Sequence, residues 1–490
     1  MTVGRDARWL DIVLPRSHGR LVDIVFNDAS AVPLVLDALV EHASRIRGLF
    51  FIDPNPTTYD FLGALMKIRM NALEEIMVFG CTTAPREGPP TWFKFAPSHC
   101  SALSALRCAS AQVDWKAPFI RQLTTLSVMD APLFHPTFTF DQFLEVLQDL
   151  ADGSLRHLEL HHSFPFYDNE HHTTDGPFLS DRIVKLPNLQ TLSLVHSRVS
   201  PLRVMLSHMH LSLDVRLCVY YAACIGHAGD PELPALFDIL PLDPRCIPIY
   251  RDAFSACIIA ERATHPHHDG DFLTVSCWRE SHFGSLTVTF GVVGDNCSRW
   301  TYNFDDLILD FIHLFRSSKL QWLKLEIEDT VPISVYHHGV VATSPTKHTM
   351  TATALGMLFA AFPDITHLEG QVDDLEWNCP MGLVDALWTR HDRPPPSGPG
   401  RDIDPDTYPR RECVLPRLRL ISLRHVSCSP ELIDALHTCI WARRAVFKSS
   451  LSELRIELMD PESGDVLSEE DHNMAVDVLK DVVPNVVCIV

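Results

Sequence analysis

The six residues LRHLEL at Leu155–Leu160 carry apolar side chains at their first, fourth and sixth positions. The same spacing returns as LQTLSL at Leu189–Leu194, LQWLKL at Leu320–Leu325, LRLISL at Leu418–Leu423 and LSELRI at Leu451–Ile456. Weaker copies are LVDIVF at Leu21, IRGLFF at Ile46, LEEIMV at Leu73, LSALRC at Leu103 and LTTLSV at Leu123. ITHLEG at Ile365 is weaker still, because Gly370 stands at its third apolar position. In LRHLEL and LQTLSL the final four residues alternate polar and apolar, which is the two-residue period of a strand with one face buried.

Between copies the period changes to that of a helix. VPLVLDALVEHAS at Val32–Ser44, FDQFLEVLQDLADG at Phe140–Gly153, FDDLILDFIHLFRSS at Phe304–Ser318 and PELIDALHTCIWARR at Pro430–Arg444 have apolar residues three and four apart. Ser429 before Pro430 suits an N-cap with proline at the first helical position, and Gly153 suits a helix stop. Strand and helix thus alternate, with successive visible copies roughly 20 to 35 residues apart, overlapping the leucine-rich unit and somewhat exceeding it. The sequence therefore predicts an α/β leucine-rich-repeat solenoid with irregular units, in which a curved parallel sheet is lined by helices. A unit this short cannot bury its own apolar strand face, but stacked units turn the first, fourth and sixth positions into continuous internal rows. The residues between them must face outward. Those of the five strong copies, His157, Glu159, Thr191, Ser193, Trp322, Lys324, Ser422, Arg424, Arg455 and Glu457, form the candidate protein-binding surface. Trp322 stands out: at an outward strand position it either anchors an interface or is buried under an adjacent loop.

The array is expected to be irregular around residues 215–290, where Cys246–Ala260 and Phe272–Val292 read as strands without clean copies of the motif. That pattern fits either an irregular middle or a break between two subarrays. The segment DRPPPSGPGRDIDPDTYPRRE at Asp392–Glu412 has the proline, glycine and charge content of a disordered insertion, and Phe164–Pro177 and Val331–Lys347 are shorter insertions of the same kind.

Of the 490 residues, 46% are hydrophobic and 21% charged, the balance of a folded domain. A formal charge of -21 argues against a nucleic-acid binder, which needs clustered Lys and Arg against phosphates. No apolar run is long enough to span a bilayer, and Arg5, Asp6 and Arg8 occupy the place of a signal-peptide core, so a cytoplasmic or nuclear protein with no membrane contact is expected. The 14 cysteines are scattered without a CxxC pair, which favours reduced structural thiols over a disulfide or zinc framework.

The sequence carries no phosphate-binding, dinucleotide, zincin or nucleophile-elbow motif that holds. His161-His162 and His171-His172 flank a segment with Asp168, Glu170 and Asp175, and His265, His267, His268 and His337-His338 form further pairs. All read as polar loops rather than metal sites, since a histidine pair on a loop lacks fixed geometry. Asp373, Asp374 and Glu376 read as a solvated acidic turn, having no nucleophile or base beside them. No catalytic residue, metal or cofactor is assigned.

The irregular LxxLxL units, the helix-then-strand order at LADGSLRHLEL and LPNLQTLSL, and Trp9-Leu10 and Arg16-Ser17 ahead of Leu21–Phe26 resemble the fungal F-box/leucine-rich-repeat proteins. The likeness covers nearly the whole chain, through degenerate motifs. In that family an N-terminal helical F-box docks the adaptor of a cullin-RING ubiquitin ligase while the repeats present a substrate. The resemblance makes residues 21–490 the repeat array and residues 1–20 the segment that follows an F-box. The F-box itself is not in the chain, so adaptor binding is expected only if one is encoded upstream. A free-standing interaction scaffold fits the same residues, and an enzyme with a cryptic site is the remote third reading.

Overall fold

In the computed structural model the described residues are 2–3, 10–17, 19–27, 36–52, 67–79, 92–93, 99–109, 112–113, 117–129, 139–163, 182–196, 198–224, 235–265, 268–280, 284–293, 302–329, 351–372, 379–387, 413–459 and 467–489. The expected insertions at 164–177, 331–347 and 392–412 lie outside them, as do Asp373, Asp374 and Glu376. The chain is mixed α/β with mostly parallel strands, and it divides into two compact units. One comprises Met1–Tyr220 with Arg245–Ile247, and the other Tyr221–Pro244 with Pro248–Val490.

In the first unit β1 (Thr2–Val3), β2 (Val22–Phe26), β3 (Ile46–Ile52) and β4 (Glu75–Phe79) pair in parallel and in succession. Beyond the short strand β5 (Trp92–Phe93), the ladder continues through β6 (Ala105–Ala109), skips β7 (Gln112–Val113), and adds β8 (Thr125–Met129) and β9 (His157–His161). After β10 (Val184–Leu186) it takes in β11 (Thr191–His196), while β12 (Met209–Leu211) pairs with β10. The strand β13 (Arg216–Cys224) runs from one unit into the other. The pairing brings Ile24, Leu49, Ile76, Leu106, Leu126, Leu158 and Leu192 into one row. Phe26, Phe51, Val78, Cys108, Val128, Leu160 and Leu194 make a second, and every member of both rows is buried.

The second unit mixes directions. Its strands β14 (Ser255–His265), β15 (His268–Trp278) and β16 (Ser285–Val293) are antiparallel neighbours. On the other side of β14 come β17 (Trp322–Asp329), β18 (His367–Val372), β19 (Leu420–Ser427), β20 (Glu453–Met459) and β21 (Val486–Cys488), all parallel. Hairpin pairing of consecutive strands explains why residues 255–293 lack the motif, since each strand there needs only its own alternation. Gly370 falls in the row between Leu325 and Leu423, where an added Cβ would sit 3.4 Å from Leu423 Cδ2.

Every copy of the motif lies on a strand of these ladders. Its leading Leu or Ile just precedes or opens the strand and is buried, with Leu21 as the exception at 50% exposure. A register shift in β2 explains it, because Val22 rather than Leu21 pairs with Ile46. The entry into many of the parallel strands repeats one hydrogen-bond step. Amides of Ser104 and Ala105 donate to Glu74 O, Thr124 and Thr125 to Ser104 O, Arg156 and His157 to Thr124 O, and Gln190 and Thr191 to Arg156 O. Thr366 and His367 donate likewise to Gln321 O, and Ser452 and Glu453 to Arg419 O. A hydroxyl at this step adds a bond of its own, as in Thr124 Oγ1 to Ser104 O and Ser452 Oγ to Arg419 O. These bonds satisfy the backbone where strands begin, which buried polar groups require.

Helices form over the expected stretches at 140–153, 304–318 and 430–444, whereas that at Val32–Ser44 is helical over Leu36–Glu41 and turns to a 3-10 helix at Ala43–Arg45, its residues 32–35 lying outside the described ones. Phe140–Ala151 starts with a capping box, in which Thr139 accepts from the Gln142 amide and the Gln142 side chain accepts from the Thr139 amide. It stops at Gly153, where a Cβ would lie 2.6 Å from Arg121 O. Phe304–Phe315 is capped by Asn303, Ala352–Ala361 by Thr351 and Pro430–Ala445 by Ser429. In the second unit the helices Phe304–Phe315, Ala352–Ala361, Cys379–Leu387, Pro430–Ala445 and Glu469–Lys480 touch in succession, the first two partly through Phe311, whose ring lies 5.6 Å from that of Phe362. No helix among the described residues is long and apolar enough to cross a membrane.

Candidate protein-binding face

Because side chains alternate along a strand, burying Leu158 and Leu160 leaves His157 and Glu159 on the opposite face of the sheet. The register then sets His157 beside Thr191 and Glu159 between Ser127 and Ser193. All four first-unit candidates, His157, Glu159, Thr191 and Ser193, are therefore neighbours on one half-buried face. His157 Nδ1 and Thr191 Oγ1 share a hydrogen bond of 2.8 Å. Burial, followed by the charges of Arg107 and Arg156, lowers the His157 pKa and favours the neutral ring. Glu159 is the centre of this group: Ser127 Oγ donates to its Oε2 at 2.7 Å and His161 Nε2 lies 3.0 Å from its Oε1. The His161 contact is the main cause holding the Glu159 pKa below its usual range, against the opposing effect of burial.

The second unit carries the remaining candidates. Trp322 lies between Ser255 and His367 in one outward row, and Lys324, Glu369, Ser422 and Arg455 follow one another across β17 to β20 in the next. Lys324 Nζ is 2.7 Å from Glu326 Oε2; burial disfavours the ammonium, but the Glu326 hydrogen bond and charge raise its pKa overall. Arg424 Nε lies 3.5 Å from Glu369 Oε1, Arg455 Nε donates to Glu453 Oε1 at 2.6 Å, and Glu457 Oε1 lies 3.6 Å from His425 Nε2. Ser422 faces the same way but is only 4% exposed, packed low between Glu369 and Arg455, so it shapes the face more than it offers contact.

Glu369, His425 and Ser127 belong to these groups, yet the strong copies of the motif do not single them out; Glu453, the outward third position of LSELRI, is legible there although the candidate set omits it. Glu369 is legible as the outward position of ITHLEG, the copy weakened by Gly370. His425 was not legible, since it comes into play through a register shift in β19 between Leu423 and Val426 and a φ of 54°. Among the described residues no group of three or more His, Cys, Asp or Glu side chains could hold a metal ion. A shallow cavity of about 200 Å³ lies against the helix Phe140–Ala151, but its Arg121 and Asp149 are paired with each other at 2.5 Å.

Comparison with known proteins finds no family whose model matches the sequence and no curated protein that matches it.

Proposed function

We propose that this chain is a non-catalytic leucine-rich-repeat array that binds a protein through the outward face of its strands. The repeated register supports this reading: buried apolar rows on one side hold polar, charged and aromatic side chains in fixed rows on the other. Recognition benefits from such preorganisation, because little side-chain entropy is left to lose on binding. In line with the family resemblance, the bound protein is a substrate of a cullin-RING ligase of the F-box type, in the cytoplasm or nucleus. The chain then contributes proximity, holding the substrate near an activated ubiquitin carried by another subunit.

The test is quantitative affinity purification of the full chain beside a Lys324→Glu/Arg455→Glu double variant. Partners that bind through this face drop out with the variant, whereas a cullin-RING adaptor, where an F-box encoded upstream is expressed with the chain, is retained by both. Recovery of partners without any adaptor makes the chain a free-standing scaffold. Undiminished recovery of every partner by the variant overturns the assignment of the face.

A further inference from the structure

We propose that the outward face of β18 to β20 grips an acidic, carboxylate-bearing segment of the partner protein, through the free edges of the Arg424 and Arg455 guanidinium groups. This rests on the reading of that face as the binding surface and adds the chemistry of what it holds.

The chain carries a formal charge of -21, yet on this face the bases stand out and the acids lie low. The Arg424 and Arg455 side chains are 45% and 48% exposed, while their carboxylate partners Glu369 and Glu453 are 15% and 24% exposed. His425 repeats the arrangement at 37% over Glu457 at 14%. Each arginine–glutamate pair is thus a dipole with its positive end toward solvent. Both arginines face their carboxylates through Nε, and among the described residues neither guanidinium has a second partner. The terminal nitrogens of each therefore remain as a two-donor edge matched to an incoming carboxylate.

Their spacing fits an extended chain. Arg455 pairs with Ser422, so Arg424 lies one strand over and two residues along. Strand spacing and rise place the two Cα positions about 8 Å apart, close to the roughly 7 Å between alternate residues of an extended peptide. Carboxylates two residues apart reach both edges. The local backbone is also unusual here: the register of β19 shifts after Leu423, and His425 adopts a φ of 54°. Non-glycine residues rarely occupy that region without being held there, and bulges re-aim the side chains around them. Repulsion from the rest of the acidic chain is short-ranged at physiological salt, where the screening length is about 8 Å.

The test is fluorescence anisotropy of the full chain at physiological salt with a labelled peptide of alternating glutamate and serine, against the same peptide with glutamine. The glutamate peptide is expected to bind and the glutamine peptide to bind at least about tenfold more weakly, since charge-assisted bonds are lost. Arg424→Gln with Arg455→Gln should weaken the glutamate peptide by a similar factor, and Lys480→Gln, a control on the last helix, should not. Thermal melts by circular dichroism confirm that each variant folds. Equal binding of the two peptides, no binding of either, or an unchanged affinity in the double arginine variant overturns the inference. If the peptide result is negative while Lys324→Glu/Arg455→Glu still releases the cellular partner, only the acidic-segment inference falls. Retention of that partner removes the binding face itself.

Discussion

Replacing Leu158 by Ala and, separately, His157 by Ala tests the alternation on which the reading of the motif depends. Leu158 is 1% exposed and sits in register between Leu126 and Leu192, each 0% exposed. Leu158→Ala removes three buried carbons, worth about 0.8 kcal/mol each, and leaves a cavity that neighbours held in a ladder fill poorly. The loss should be about 3 kcal/mol. His157 is half-buried on the other face and makes one side-chain hydrogen bond, to Thr191, so its replacement should cost about 0.5–1 kcal/mol. Hydrogen exchange of the amides in β8, β9 and β11 at rising urea reads the first unit apart from the second. With a urea dependence of about 3 kcal/mol per molar for a unit of this size, Leu158→Ala should bring opening forward by about 1 M. Comparable effects from the two substitutions, or a larger one from His157→Ala, would refute the assignment of faces.

Glu159 makes stability depend on pH. Its folded pKa is lowered, chiefly by His161, so the contribution is present above the unfolded value near 4.5 and is lost as pH falls through the folded pKa. Glu159→Gln should flatten the acid limb of a stability-against-pH curve for the first unit, and an unchanged limb would count against the His161 contact. Arg443 is 3% exposed and donates from both terminal nitrogens, at 2.6 Å each, to the carbonyls of Val414 and Leu415. Arg443→Lys cannot span both and should cost about 1–3 kcal/mol in urea denaturation. Gly153→Ala drives a Cβ against Arg121 O and should lower stability by about 1–3 kcal/mol, read as an earlier thermal transition in circular dichroism.

The sequence by itself determined the elements. A two-residue period marked which side of the strands is apolar, and a three-to-four-residue period, with Ser429 as a cap and Gly153 as a stop, marked the helices. It also determined that His157 and Glu159 must face away from Leu158 and Leu160, since alternation is a property of a single strand. Partnership is another matter. That Glu159 meets Ser127, that Arg424 meets Glu369, and that Leu21 stays outside while Val22 turns in all depend on register between segments distant in the chain. Register is set by how whole strands stack, which no single motif encodes. The antiparallel strands of residues 255–293 were visible as strands, but their direction was decided only by the close return of the chain from β14 to β15 and from β15 to β16. The depth of each charge was likewise a tertiary outcome. Alternation alone puts Arg424 and Glu369 on the same side of their strands, and only packing against neighbouring strands sinks the acid and leaves the base exposed.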